Sequence, residues 1–409
     1  MLSSAQIIQL ARSYGTPLWI YDAELIRRRI SDVRQFDVVR YAQKANSNTH
    51  ILKLMRAEGV AVDAVSEGEI LRSLAAGYDP RVEDEVIFTA DVIDHSTLKV
   101  VLENRLTVNA GSLDMLERIG KNSPGHKVWL RINPGFGHGH SNKTNTGGEH
   151  SKHGIWFSDV QRALDLVRKY KLDLYGLHMH IGSGVDYEHL AKVCSALVDV
   201  ARNLGSDIKA ISAGGGLPIP YDEKEPQIDT AHYFSLWDAA RKEIEGFLGH
   251  SIKLEIEPGR FLLGQAGILV SELHAVKETP RHRFAIVDAG FNDLVRPSFY
   301  GSYHRISVLP KDSDGLQSRP LIDLAVAGPL CEAGDVFTQV AGGEIVSRSL
   351  PTPEIGDLLV FHDVGAYGAT MSSNYNTRPL APEVLVDGSE IRLIRRRQTL
   401  KDLLDLESV

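Results

Sequence analysis

Residues 38–77 read VVRYAQKANSNTHILKLMRAEGVAVDAVSEGEILRSLAAG, and they decide the fold. A β-branched run, VVRYAQK (38–44), gives way to a longer segment of helical period, and a second strand-like run, VAVDAVS (60–66), follows. The next segment predicts a helix with its own punctuation. Ser66 with Glu69 three residues on forms a capping box, Ile70, Leu71, Leu74 and Ala75 form an apolar stripe, and Gly77 stops the turn. Strand, helix, strand, helix is the repeat of a parallel sheet, whose strands need long crossovers to return in one direction.

The same alternation extends outward from this stretch. Six further strand-like runs follow: EVIFTA (85–90), RLTVNAG (105–111), KVWLRINP (127–134), LYGLHMHIG (174–182), IKAISAGGG (208–216) and IKLEIEPGR (252–260). Eight parallel strands with intervening helices predict a TIM (β/α)8 barrel over residues 23–269, a span close to the roughly 250 residues such barrels use. An open doubly wound sheet is the alternative. Beyond Gly267 the pattern changes to runs such as ILVSELHAV, RFAIVDAG and LLVFHDV, set between Gly, Pro and Asp turns and without long amphipathic helices. These predict a second, mostly β domain over residues 270–409, joined by residues 1–22 through the strand-like PLWIYD (17–22).

Composition narrows the function. The 409 residues, 43% hydrophobic and 24% charged, suit a folded two-domain chain with a sizeable core. A net charge of −8 gives no electrostatic reason to bind nucleic acid, so small-molecule chemistry is favoured. Two distant cysteines, Cys194 and Cys331, support neither a disulfide framework nor a cysteine metal site, and they fit a reducing compartment. The N-terminus lacks the pattern of a secretory signal, and no apolar run is long enough to span a bilayer, so a cytoplasmic protein is expected.

A TIM barrel carries its chemistry at the C-terminal ends of its strands, and polar residues collect there in this chain. Lys44 ends the first strand, Asp63 the second, Arg131 the fifth, His180 the sixth, Gly214–Gly216 the seventh and Glu257 the eighth. A lysine closing an apolar strand can sit partly dehydrated, where its amine becomes nucleophilic enough to form a Schiff base; taken alone, it reads more readily as a surface lysine at a loop start. The triple glycine lets backbone N–H groups approach a phosphate, in a place where this barrel habitually binds one. Glu257 suits pairing with a protonated heterocyclic nitrogen, or else a buried ion pair with Arg260. His178 and His180 share one strand face; without further ligands nearby, they suit an aromatic platform for a ring better than a metal site. Asp63 and Glu69 also have structural explanations, a strand-end turn and the helix cap, and Cys194 falls on the apolar side of a helix.

In chain order, YAQKAN (41–46), HMHIGSG (178–184), AGGGLPIPY (213–221), EIEPGRF (255–261), RPSFYGSYH (296–304), GPLCEAGDVF (328–337) and GAYGATMSSNYNTRP (365–379) carry a family resemblance. With these motifs the chain closely resembles the fold type III pyridoxal-phosphate decarboxylases, almost end to end. The resemblance implies pyridoxal 5'-phosphate as cofactor, held covalently by Lys44, with His180 against its ring and Glu257 on its pyridine nitrogen. It further implies that Ser183, Gly214, Gly215 and Gly216 contact the phosphate, that Asp63, Arg131, Gly259 and Arg260 belong to the cofactor site, and that Tyr367 reaches the cofactor. Substrate contacts map onto Arg260, Arg296, Tyr300, Glu332 and Tyr367. Cys331 and Glu332 resemble residues delivered across a homodimer interface, with Cys331 the proton donor. The implied reaction is decarboxylation of meso-2,6-diaminopimelate to L-lysine and CO2, the last step of lysine biosynthesis.

Three places depart from the commoner family wording. CESGD becomes CEAGD at Ala333, a GN-rich segment is replaced by FTADVID (88–94), and GFGHGHSNKTNTGGEHSKHG (135–154) is a variant loop, although Thr146, Gly147, Ser151, Lys152 and Gly154 keep its outline. The alternatives are a related decarboxylase of ornithine, lysine or a polyamine precursor, a racemase, and a non-catalytic pyridoxal-phosphate carrier. Arg296 argues against an ornithine or lysine substrate, which has no distal carboxylate to meet it.

Overall fold

The computed structural model describes residues 2–82, 85–137, 147–180, 182, 186–222, 224–311 and 319–408. The chain begins with α1 (Ser4–Tyr14), β1 (Leu18–Asp22) and α2 (Ala23–Ser31). It then alternates β2 (Val38–Ala42), α3 (Thr49–Ala57), β3 (Ala61–Ala64), α4 (Glu67–Ala75), β4 (Val86–Ala90), α5 (His95–Glu103), β5 (Thr107–Ala110), α6 (Leu113–Asn122) and β6 (Lys127–Asn133). The short β7 (Ile155–Trp156) precedes α7 (Val160–Tyr170), β8 (Asp173–His178), α8 (Tyr187–Asn203), β9 (Ala210–Ser212), α9 (Thr230–Leu248), β10 (Lys253–Ile256) and α10 (Arg260–Leu263). Two compact units result: Arg29–Pro218 with Gln227–Leu262, and Met1–Arg28 with Ile219–Pro226 and Leu263–Val409.

The first unit is a closed barrel. Its strands run in the order β2, β3, β4, β5, β6, β8, β9, β10, all parallel, and β10 returns to pair with β2 at Glu255↔Val38 and Ile256↔Val39. Because every strand of the ring is paired on both sides, the open-sheet alternative falls. The interior is packed. Gly176 on β8 leaves room for the buried Trp129 of β6; a Cβ there would lie 2.7 Å from the indole. Arg40 of β2 and Glu255 of β10, both essentially unexposed, form a 2.7 Å ion pair.

Side-chain caps start the crossover helices where Ser and Asp precede the helical runs. Ser66 accepts the Glu69 N–H at 3.2 Å, Asp94 that of Thr97, and Ser112 that of Met115. The expected capping box at Ser66 is modified: the Glu69 carboxylate takes the N–H of Val65 at 2.9 Å. The expected stripe on α4 is also rotated, with Ile70 and Ser73 buried and Leu71 49% exposed. The reason is polar: the Ser73 hydroxyl donates to Glu69 O at 3.0 Å and accepts from the buried Gln43 amide at 2.8 Å, which turns that face inward.

The second unit is mostly β. It adds β11 (Gly267–Glu278), β12 (Arg283–Val287), α11 (Arg296–Tyr300), β13 (Ile306–Leu309), β14 (Leu321–Ala327), β15 (Arg348–Pro351), β16 (Leu358–Phe361), β17 (Glu383–Asp387), β18 (Glu390–Arg395) and α12 (Leu400–Leu404). The sheet runs β15, β14, β12, β11, β1, β17, β18, with β16 joining β11 to β13. PLWIYD enters it as expected: β1 is antiparallel to β11 and parallel to β17. Helix α1, which the sequence reading did not anticipate, buries Ile7, Ile8, Leu10 and Ala11 against Leu18, Ile20, Val270 and Val384. Among the described residues no helix is long and apolar enough to cross a membrane.

Candidate active site

Strand β2 stops at Ala42, and Lys44 stands in the single 3-10 turn Gln43–Ala45 that follows. Its side chain is exposed at the barrel mouth, as in the surface-lysine reading. The turn is locked to the EPGR segment. Ala42 donates its N–H to Pro258 O at 3.2 Å, and a Cβ on Gly259 would press to 3.2 Å on both Ala42 O and Ala45 Cβ.

Two buried carboxyls face the same interior with opposite tendencies. Asp63, on β3, is 4% exposed; burial first, and the charge of Glu257 second, push its pKa well above the usual carboxylate range, against the pull of Lys44. Its Oδ1 has no hydrogen-bond partner among the described residues. Glu257 feels burial as strongly, but the charge and hydrogen bond of His178, with the charge of Arg40 beyond, hold it down to about 2. His178 Nε2 lies 2.8 Å from Glu257 Oε2, and Ser212 Oγ donates to Oε1 at 3.2 Å. One carboxyl is thus kept anionic while its neighbour is biased to the neutral form. Glu69 is likewise raised by burial, with the Val65 N–H and Lys44 opposing.

These partners decide several open points. Glu257 pairs with His178 and Ser212, not with Arg260, which starts α10. His178 meets that carboxylate through its Nε2. His180, beyond the strand end, is held well below the ordinary imidazole pKa by burial and by Arg131, Lys44 and His178, so it presents a neutral ring. Arg131 is 8% exposed on β6, opposite His178 in register. Arg40 and Ser212 were missed, although both were legible: Arg40 precedes Ala42, and Ser212 precedes Gly214, by the two-residue step that keeps side chains on one face.

The triple glycine adjoins His180. Gly214 (φ +62°) and Gly216 (φ +101°) adopt left-handed backbone, which L side chains rarely tolerate. A Cβ on Gly214 would lie 2.6 Å from His180 Cβ, one on Gly215 2.6 Å from Glu257 O, and one on Gly216 would collide with Gly182 O. The cradle therefore exists only without side chains, as a phosphate approached by backbone N–H groups requires. With an anionic carboxylate, a neutral ring and a primary amine at the same mouth, the residues present fit a phosphorylated, protonated heterocycle. Ser183 lies outside the described residues, as do His138, His140 and Thr146.

The second unit holds its own polar cluster. Arg296, 7% exposed at the start of α11, donates from Nε to His304 Nε2 at 3.3 Å and from Nη2 to Ser302 Oγ at 3.2 Å. Its guanidinium lies 5.7 Å from the ring centres of Tyr221 and Tyr300 and 6.0 Å from that of Tyr367. Tyr221 was not singled out from the sequence, though it closes the AGGGLPIPY motif. Tyr367 is held at φ +58°, a conformation unusual for a bulky residue. Cys331, Glu332 and Ala333 are exposed on a turn that Asp335 anchors by accepting the N–H groups of Leu330 (2.8 Å) and Phe291 (2.7 Å). The Cys331 N–H donates to Asn376 Oδ1 at 2.9 Å. Ala333, where CEAGD lacks the hydroxyl of the commoner wording, is exposed.

Comparison with known proteins gives a concordant result. Residues 23–264 match the family described as pyridoxal-dependent decarboxylase, pyridoxal binding domain. The diaminopimelate decarboxylase of Escherichia coli K12 is 58% identical over 407 residues, covering 99% of this chain and 97% of that protein. That of Streptomyces coelicolor is 60% identical over 405 residues, covering 98% and 92%. A crystal structure of diaminopimelate decarboxylase superposes with a TM-score of 0.98 at 58% identity, covering 100% of this chain and 97% of that one.

Proposed function

The chain belongs to the pyridoxal-dependent decarboxylases, and from that premise we propose that it converts meso-2,6-diaminopimelate to L-lysine and CO2. The observation that carries this reading is Glu257, buried and bonded to His178 and Ser212, at the same barrel mouth as Lys44. Such a carboxylate keeps a pyridine nitrogen protonated. Pyridoxal phosphate, when bound, supplies the electron sink that accepts the bonding pair left by the departing CO2.

The chain's own groups do the rest. Lys44 offers the amine that attaches the cofactor, and His178 fixes the charge and orientation of Glu257. The neutral His180 would lie against the ring, and Asp63 and Arg131 would line the site. Backbone N–H groups at Gly214–Gly216, with Ser183, would hold the phosphate, and Gly259 and Arg260 would also border the cofactor. Tyr367 contacts both cofactor and substrate, and Arg260 also contacts the substrate. Arg296, with Tyr300, binds the distal carboxylate, a task suited to a planar guanidinium already fixed by His304 and Ser302. A second copy of the chain supplies Glu332 for the distal ammonium and the Cys331 thiol, whose proton goes to the carbon that lost CO2. The exposure of both residues within the chain supports this. The working unit on this reading is a cytoplasmic homodimer, with residues 23–269 as the cofactor domain and residues 1–22 plus 270–409 as the other.

Purified protein with cofactor is offered meso-diaminopimelate, L-lysine and ornithine separately, with CO2 and amine product measured. Turnover of diaminopimelate alone is expected. Equal or better turnover of ornithine would overturn the substrate assignment, and no CO2 from any of them would indicate a carrier.

A further inference from the structure

Two of the three departures from the family wording, FTADVID and the loop ending EHSKHG, meet in the fold. Asp91 follows the C-terminal end of β4, and its carboxylate reaches the segment that returns to β7. Its Oδ1 accepts the N–H of Gly154 at 2.8 Å, and its Oδ2 pairs with His153 Nδ1. Burial works against the anion, but the His153 bond, the nearby Arg131 and the Gly154 N–H together keep the Asp91 pKa low. Gly111 has no room for a Cβ beside Asp91 Oδ1, and Ser112 Oγ donates to Asp91 O at 2.8 Å, so the acid is held from behind.

The segment it grips lies on the end of β6. Gly154 (φ +83°) approaches so closely that a Cβ would stand 3.0 Å from Asn133 N and 3.3 Å from Arg131 O. Asn133, 3% exposed, holds the same segment by a different route: its amide donates to His153 O (3.0 Å) and Gly148 O (3.3 Å), and its oxygen accepts from Gly148 N (2.9 Å). Asn133 binds only backbone groups of the segment and reads none of its side chains. Asp91 adds a side-chain contact that only a residue such as His153 can answer.

We propose that Asp91 and His153 are positioning residues that latch segment 147–154 to the end of β4, beside Arg131 at the barrel mouth, and thereby set the affinity for substrate. Neither touches the reacting atoms. The inference rests on the decarboxylase reading, and it joins two of the variant segments through one side-chain pair.

A double-mutant cycle tests it in the holoenzyme, with Asp91→Ala, His153→Ala and the double variant assayed on meso-diaminopimelate. Exchange of the Gly154 amide is followed in parallel, and cofactor absorbance reports folding. Each single variant should raise KM by about five- to tenfold with kcat within about twofold, and the double should be no worse than the worse single. The Gly154 amide should exchange faster in both variants that lack Asp91. Unchanged KM, effects that multiply in the double variant, or a loss confined to kcat would overturn the latch. A wild-type enzyme inert toward diaminopimelate would instead sink the proposed function, and the amide exchange would still report on the latch.

Discussion

At the scale of single residues, the site depends on which carboxyl keeps its charge. Burial alone would neutralise both Asp63 and Glu257, and His178 breaks the tie by giving Glu257 a 2.8 Å partner. His178→Leu should therefore loosen the cofactor, seen as loss of bound-cofactor absorbance on dialysis that the wild type survives; full retention would remove His178 from that role. Asp293 in the second unit gives a pH signature. It is 2% exposed, and burial pushes it up to about 7. A carboxyl raised in the folded state binds its proton more tightly than in the unfolded chain, so stability falls as pH rises between about 4 and 7, by roughly 4 kcal/mol at most. Asp293→Asn should remove that loss, raising the urea midpoint at pH 8 relative to wild type and leaving it nearly unchanged at pH 4. Of these residues, Lys44 and Glu257 stand out in the sequence because they close apolar strands. His178 as the partner of Glu257 does not, since that pairing joins β8 to the end of β10 past the intervening β9.

At the scale of elements, eight β-branched runs with long crossovers leave few options, and the strands appear where period and turn residues place them. The errors have local causes. The stripe on α4 turned because Ser73 found a buried partner in Gln43, which hydrophobic period alone does not reveal. The first strand ended two residues before Lys44 because QKA curls into a 3-10 turn. Helix α1 packs its apolar residues on β1, next to it in sequence, and on the distant β11 and β17, a burial that no sequence-local pattern displays. The buried Arg40–Glu255 pair staples the first barrel strand to the last. Arg40→Leu would leave Glu255 uncompensated and should destabilise the protein by about 3–5 kcal/mol in urea unfolding, whereas replacing both by apolar residues should cost far less. A single variant as stable as wild type would show that the pair is incidental.

At the scale of the whole molecule, the chain pairs a cofactor-type barrel with a β unit that carries an arginine in an aromatic cage and an exposed Cys331–Glu332 turn. If a second copy completes each site, inactive Lys44→Ala and Cys331→Ala chains mixed and allowed to exchange should recover about a quarter of wild-type activity, since half the dimers are mixed and each of those has one intact site of two. No recovery, with exchange verified, would place Cys331 in its own chain's site. The central claim remains that Lys44 and its neighbours perform an amino-acid decarboxylation. It is tested most directly by measuring CO2 and L-lysine released from meso-diaminopimelate by wild type and by Lys44→Ala, both supplied with pyridoxal phosphate. Equal amounts of the two products from the wild type and none from the variant are predicted; full turnover by Lys44→Ala would contradict the account.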